Sequence, residues 1–216
     1  MTPDTVLEHG LATLGVPADK TARARLLAYL HLLDKWNRVY NLTAVRGVDR
    51  MMSQHLLDSL AVVPHLRGGT MVDVGSGAGL PGVPIAIMCP GRRVTLLDSN
   101  HKKATFLKQA AIELQLENVS VVCERAQSWR AERPFDVVIS RAFAELAQFI
   151  AAAGHLCAHD GVMAAMKGVY PDEELGALPP GYRAAAVKRL HVPGLAADRH
   201  LVLVQPPDVT VDTGTE

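Results

Sequence analysis

The chain is short of cysteine, of aromatic residues and of excess charge, and each shortage closes off a class of protein. Its three cysteines, Cys89, Cys123 and Cys157, are odd in number and far apart. None has metal-ligand spacing and no histidine joins them in a zinc pattern, so free thiols in a reducing compartment are expected, and no metal. Aromatics make up 5% of the residues, and no RNA-recognition signature built on stacking rings is present. Lys+Arg and Asp+Glu both number 22, a formal net charge of +0. A protein that grips nucleic acid over a wide surface is normally more basic, so any such contact must use a local basic patch. No apolar run reaches the ~20 residues of a membrane span. The first ten residues, with Asp4 and Glu8, lack the basic-then-apolar order of a secretion signal. A soluble, cytoplasmic protein is expected. There is no internal repeat and no low-complexity tract.

What is there is ordinary globular material. Hydrophobic residues are 49% and charged residues 20% of 216, enough for one main α/β domain with an extension. Residues 1–66 read as helical. Pro3 suits a first turn and Gly15 an end. Residues 17–39 place Leu26, Leu30 and Leu33 at helical spacing, with Trp36 one turn on. Asp49 is a candidate cap for a third helix, 49–63, which Pro64 stops. After residue 70 the pattern changes to short apolar runs at 70–74, 93–97, 120–123, 135–140 and 161–166. Helical candidates at 80–88, 101–116 and 145–158 lie between them. Such alternation means crossover units and a mostly parallel sheet covered on both faces. Residues 183–192 and 199–204 read as two closing strands in an edge hairpin, and after 171–180 no clear helix signal stands out around Tyr182. The expected division is a helical extension over 1–66, an α/β domain over 67–205 and a disordered tail over 206–216.

Residues 71–82 read M-V-D-V-G-S-G-A-G-L-P-G. Gly75, Gly77 and Gly79 follow a buried strand and precede a helix, where glycine lets a ligand approach the main chain and the helix presents free N–H groups. Asp98 ends the next strand at about the 20-residue separation of an acid that binds a ribose hydroxyl pair. It, or Ser99, could equally cap the following helix. A dinucleotide loop reads G-x-G-x-x-G, and Leu80 occupies its third glycine position. The spacing here is G-x-G-x-G with Asp73 upstream, the pattern of methyltransferases that use S-adenosylmethionine. Asp73 suits either the amino end of the methionine moiety or a hydrogen bond that fixes the loop.

With those residues in view, the stretch 41–167 closely resembles the ribosomal RNA small subunit methyltransferase G family. The matching pieces are N-L-T-A at 41–44, H-L-L-D-S-L at 55–60, D-V-G-S-G-A-G-L-P-G at 73–82, L-L-D-S at 96–99, S-R-A-F at 140–143 and M-K-G at 166–168. The resemblance implies a class I S-adenosylmethionine-dependent methyltransferase: a doubly wound, mostly parallel seven-stranded Rossmann-like sheet with a helical N-terminal extension. It implies methylation of N7 of one guanosine in 16S rRNA, naked or in the small ribosomal subunit. It also implies cofactor contacts at Gly75, Leu80, Ala126, Gln127 and Arg141. Position 127 is often acidic in that family; Gln127 still offers a side-chain oxygen to an adenine amino group. A monomer is expected.

Guanine N7 carries a lone pair and no proton, so its methylation needs no general base. The chain accordingly shows no convincing catalytic dyad, and alignment of the reacting atoms is expected to dominate. Arg141 and Lys167 lie just past the C-terminal ends of parallel strands, where open α/β sheets bind ligands, and are the catalytic candidates. Arg141 suits a cofactor carboxylate or an RNA phosphate; Lys167 suits guanine O6. His55, Asp58 and Ser59 share one helical face at i, i+3 and i+4, either as a packed polar cluster or as a substrate-side lid. Asn41 reads as a helix cap. Basic residues gather at Arg23, Arg25, Lys35, Arg38, Arg46 and Arg50, at His101, Lys102, Lys103 and Lys108, and at Arg125, Arg130 and Arg133. Part of them are candidates for RNA phosphate contact. The rivals are a nicotinamide-dependent oxidoreductase, disfavoured by Leu80, a methyltransferase on another substrate, and a non-catalytic RNA-binding assembly factor.

Overall fold

A computed structural model describes residues 1–207. From residue 208 on, the expected tail lies outside the described residues. Helix α1 (Pro3–Thr13) opens with Pro3 behind the cap Thr2, whose hydroxyl accepts the Thr5 N–H at 3.3 Å. Helix α2 (Lys20–Tyr40) is capped by Asp19, which accepts the Ala22 N–H at 2.7 Å, and closes on Asn41 in left-handed backbone at φ 50°. Its buried face carries Leu26, Tyr29, Leu30, Leu33 and Asn37, three or four residues apart. The third helical stretch differs from expectation. It begins at Val48 after Gly47, not on an Asp49 cap, and runs as α3 (Val48–Met51), a π-helical segment (Met52–Leu57) and α4 (Asp58–Leu60). His55 closes the π segment's last turn while Asp58 and Ser59 open α4.

The sheet has seven strands: β1 (Thr70–Val74), β2 (Arg93–Leu97), β3 (Val119–Val122), β4 (Phe135–Ser140), β5 (Cys157–Lys167), β6 (Arg183–Arg189) and β7 (His200–Gln205). Their order is β3-β2-β1-β4-β5-β7-β6. β1 to β5 pair in parallel; β7 runs antiparallel to both β5 and β6. β5 is longer than the apolar run 161–166 because its first residues, including exposed His159 and Asp160, extend the pairing with β4 past a register shift. The edge hairpin forms as expected, β6 ending at Arg189 and Leu190 N–H reaching the Arg199 carbonyl at 2.7 Å.

Side chains along the strands alternate between two cores. Met71, Leu96, Val137 and Ile139 pack beneath α1, α2, α5 (Gly82–Met88) and α6 (His101–Glu113). Val72, Val74, Leu97 and Val138 pack against α7 (Leu146–Ala153) on the opposite face. The N-terminal helices thus share one continuous core with the sheet. A short helix, α8 (Asp172–Gly176), escaped the sequence reading because five residues carry no period. Chain connections leave β1 toward β2 on one side while β4 lies on the other. The crevice above the C-terminal ends of β1 and β4 is therefore the topological switch point, where this architecture binds ligands.

Candidate active site

The glycine loop runs from the end of β1 into α5 and is tied down on three sides. Gly75 and Ser76 donate their N–H groups to the Leu97 carbonyl at 2.8 and 3.1 Å. The Gly77 N–H donates to Asp98 Oδ2 at 2.8 Å. From the N-terminal helices, the buried Tyr29 hydroxyl donates to the Ala78 carbonyl at 2.7 Å. Burial pushes the Tyr29 phenol well above its ordinary range, against the lowering effect of the Arg141 charge, so it stays a donor. Gly77 has φ +59°, and a Cβ there would meet nothing closer than the Gly75 carbonyl at 3.8 Å and Lys103 Nζ at 4.0 Å. Glycine is required for its backbone angle, while the space beside it stays open.

Asp73 sits beneath this loop rather than in the crevice. Its side chain shares the Met71 face of β1; Oδ2 accepts the Gly82 N–H at 2.9 Å, and a Cβ on Gly82 would stand 2.8 Å from that oxygen. Burial raises its pKa to about 6, against the lowering effect of the Gly82 N–H. Asp73 Oδ1 is buried with no protein partner among the described residues. Asp98 Oδ1 accepts the Asn100 N–H at 2.9 Å. The expected capping role falls instead to Asn100, whose Oδ1 accepts from Lys102 and Lys103 N–H.

Three cavities follow one another along the strand ends. The first, about 400 Å³, is lined by Gly75, Leu97, Asp98, Ala126, Gln127 and Phe143 among others. The second, about 160 Å³, includes Gly75, Gly77, Leu80, Arg141 and Ala142. The third, about 370 Å³, includes His55, Asp58, Arg141, Lys167, Gly168 and Arg199. Gly75 and Ala142 border the first two, and Arg141 the last two, so they form one groove. A larger apolar cavity of about 500 Å³ lies between α1, the π segment and Pro193, away from all of these groups.

The third cavity is polar and crowded with charge. Asp58 is 1% exposed; its Oδ2 accepts from Arg141 Nη1 at 3.3 Å and its Oδ1 from Arg199 Nε at 2.9 Å. Arg141 Nη1 also lies 3.5 Å from the Gln54 carbonyl. His55 Nε2 is 2.7 Å from the Thr43 hydroxyl. Desolvation, then the Arg141 charge, lowers its pKa to about 4, so the ring is neutral near neutrality. Lys167 Nζ donates to the Ala144 carbonyl and to Glu174 Oε2, the latter at 2.7 Å. Glu174 Oε2 also accepts the Leu146 N–H that opens α7, at 2.7 Å.

The groove therefore gathers Gly75, Gly77, Leu80, Asp98, Ala126, Gln127, Arg141, His55, Asp58 and Lys167. It leaves out Asp73, below the loop, and Ser59, which is fully buried off the shared face with its Oγ unpartnered among the described residues. Tyr29, Thr43, Glu174 and Arg199 were missed. Tyr29 carried a usable signal, since it stands on the same helical face as Leu26, Leu30 and Leu33; the other three meet the site only through tertiary contacts. Of the basic groups, Arg23 is no phosphate ligand. It is buried and bonded to Asp4 at 2.8 Å and Glu8 at 3.0 Å, joining α2 to α1. Among the described residues no three His, Cys, Asp or Glu side chains gather as a metal site, and no helix is long and apolar enough to cross a membrane.

The fold is that of the class I S-adenosylmethionine-dependent methyltransferases. It superposes on the glycopeptide N-methyltransferase MtfA, solved with S-adenosyl-L-homocysteine, with a TM-score of 0.62 at 11% identity, over 72% of this chain and 88% of that one. The chain belongs to the rRNA small subunit methyltransferase G family, whose model matches residues 22–202. It is 53% identical over 212 residues to the ribosomal RNA small subunit methyltransferase G of Nitrosospira multiformis, covering 95% of this chain and 98% of that protein. To its counterpart in Laribacter hongkongensis it is 56% identical over 196 residues, 91% of this chain and 95% of the other.

Proposed function

We propose that this chain transfers the methyl group of S-adenosylmethionine to N7 of a guanosine in 16S rRNA. It is a methyltransferase of small-subunit ribosomal RNA, and family membership removes the nicotinamide-dependent oxidoreductase reading. The observation that carries the finer reading is the continuous groove. One end offers a buried carboxylate and apolar walls, the other neutral imidazole and paired guanidinium groups, and Arg141 stands between them.

The residues present fit the cofactor. Asp98, held by the Gly77 and Asn100 N–H groups, is placed for a ribose hydroxyl pair, and Leu97, Ala126 and Phe143 wall the space for a purine. Gln127 lines the same space for the adenine edge, and Arg141 serves the carboxylate. Asp73 acts from beneath, holding the Gly82 amide and hence the loop. When bound, S-adenosylmethionine supplies a methyl group on positively charged sulfur. The N7 lone pair takes that methyl with no proton to remove, so the protein's task is alignment and charge accommodation. His55, neutral and hydrogen-bonded to Thr43, adds no charge that would repel the purine as it becomes positive. Lys167 has spent two of its three N–H donors on Ala144 and Glu174. The third is left for guanine O6.

The test is tritiated methyl transfer from S-adenosylmethionine to naked 16S rRNA, small subunits and whole ribosomes, with the modified base mapped. Incorporation at guanine N7 in one of the three is the expected result. Label on another atom, or none in any substrate, refutes the proposal.

A further inference from the structure

Two residues at the substrate end have no part in that scheme. Arg199 precedes β7. Its Nε is bonded to Asp58 at 2.9 Å and its Nη1 to the Asp198 carbonyl at 2.9 Å. Its Nη2 has no hydrogen-bond partner among the described residues. The guanidinium lines the third cavity over Gly168, where a Cβ would stand 3.9 Å from Nη1. Tyr170 lies two residues beyond Gly168 and is 50% exposed. It is not loose: its ring meets His200 edge to face, with centroids 5.6 Å apart and planes at 90°. His200 pairs in register with Lys167, so the two residues sit at the same end of the β5–β7 pair.

The charges make this corner anionophilic. Asp58 is shared by Arg141 and Arg199; with Arg141 given to the cofactor carboxylate, Arg199 keeps a donor edge free toward the cavity. Lys167 is matched by Glu174, and His55 is neutral. An anionic acceptor oxygen would use the idle Nη2 in a charge-assisted hydrogen bond. A half-exposed, oriented aromatic ring at the same end of the β5–β7 pair presents a surface for a planar group.

We propose that Arg199 and Tyr170 form a subsite for an unpaired nucleotide next to the target guanosine: Arg199 takes a phosphodiester oxygen and Tyr170 stacks on the base. Asp58 is the positioning residue that aims Arg199. The proposal rests on ribosomal RNA being the substrate, and it names which part of the strand these residues read. The two contacts differ in kind. A phosphate contact displaces counterions and is salt-dependent; a stacked base is not.

The test is equilibrium binding of the full chain, with S-adenosyl-L-homocysteine present in place of the methyl donor, to 16S rRNA and to small subunits across a salt series. Arg199→Gln is expected to weaken binding about tenfold at low salt and to flatten the log–log salt slope by about 0.7–0.9. Arg199→Lys should keep the wild-type slope. Tyr170→Ala is expected to weaken binding about tenfold with the slope unchanged, and Tyr170→Phe to bind like wild type. Wild-type affinity in either Arg199→Gln or Tyr170→Ala overturns the subsite. Should Arg199→Gln not fold, the comparison of Tyr170→Ala with Tyr170→Phe decides alone. Because binding is read without turnover, a wild-type chain that binds RNA but transfers no methyl refutes the proposed function and leaves these variants still informative.

Discussion

Replacing Gly77 by aspartate separates loop geometry from fold stability. The position has φ +59°, so any side chain there costs about 1–2 kcal/mol of backbone strain. No steric cost is added, since the nearest atoms to a Cβ are 3.8 and 4.0 Å away. The new carboxylate would share the neighbourhood of Asp98, whose Oδ2 already holds the Gly77 N–H; two carboxylates in such a position lie on the order of 6 Å apart. At an effective dielectric of about 20 that repulsion is roughly 3 kcal/mol. Half-exposed Lys103, with Nζ 4.0 Å from the Cβ position, returns at most about 1 kcal/mol. The net destabilisation is roughly 3–5 kcal/mol, or about 6–20 °C in Tm for a chain of this size. Cofactor binding should suffer more, because the same carboxylate occupies the open side of the loop and competes for the groups Asp98 arranges. Calorimetry should show at least a 100-fold loss of S-adenosylmethionine affinity in a protein that still unfolds cooperatively. Gly77→Ala, bearing the strain alone, should lose no more than about 2 kcal/mol of stability. Wild-type affinity in a folded Gly77→Asp variant would refute the assignment of the loop.

Three further outcomes follow from the same geometry. Tyr29→Phe leaves the buried Ala78 carbonyl without its donor and should cost about 1–3 kcal/mol in chemical denaturation. Weaker cofactor binding is expected in the same variant, and an unchanged midpoint would show that α2 does not support the loop. Two buried groups pull acid stability in opposite directions. His55, lowered to about 4, contributes stability that is lost as pH falls from about 6.5 toward 4. Asp73, raised to about 6, favours its protonated form, so its contribution falls as pH rises from about 4 to 6. His55→Gln should therefore be less acid-labile than wild type over that window, and Asp73→Asn more so; denaturant midpoints at pH 4, 5, 6 and 7 check both signs. Glu174→Gln strips Lys167 of its countercharge and should lower kcat/KM for rRNA severalfold while S-adenosylmethionine affinity holds. Loss of cofactor affinity in that variant would move Lys167 to the other end of the groove.

Most strands were legible because each is a short apolar run bounded by polar turns. The reading failed where burial is not the signal. The first residues of β5 carry exposed His159 and Asp160 at a register shift between the Cys157 and Val162 pairings, and α8 is too short to show a period. Arg23, read as one cation among a basic group, is buried by two acids from a helix that no local pattern could place beside it. The His55–Asp58–Ser59 face assumed a regular α-helix. The structure runs 52–57 as a π segment and buries Ser59 completely while His55 and Asp58 line the cavity, a difference that packing decides and spacing does not.

The sequence by itself determined the parts whose chemistry is written in consecutive residues: the parallel strands, the glycine loop between β1 and α5, and the acid at the end of β2. Those features depend on backbone angles and on residue alternation, which are local. The tertiary structure alone decided the rest. It put Asp73 under the loop and Tyr29 over it, turned Lys167 toward Glu174, and brought Asp58 and Arg199 together across 141 positions of chain. Contacts of that kind depend on where separate elements come to rest, and no spacing along the chain encodes them.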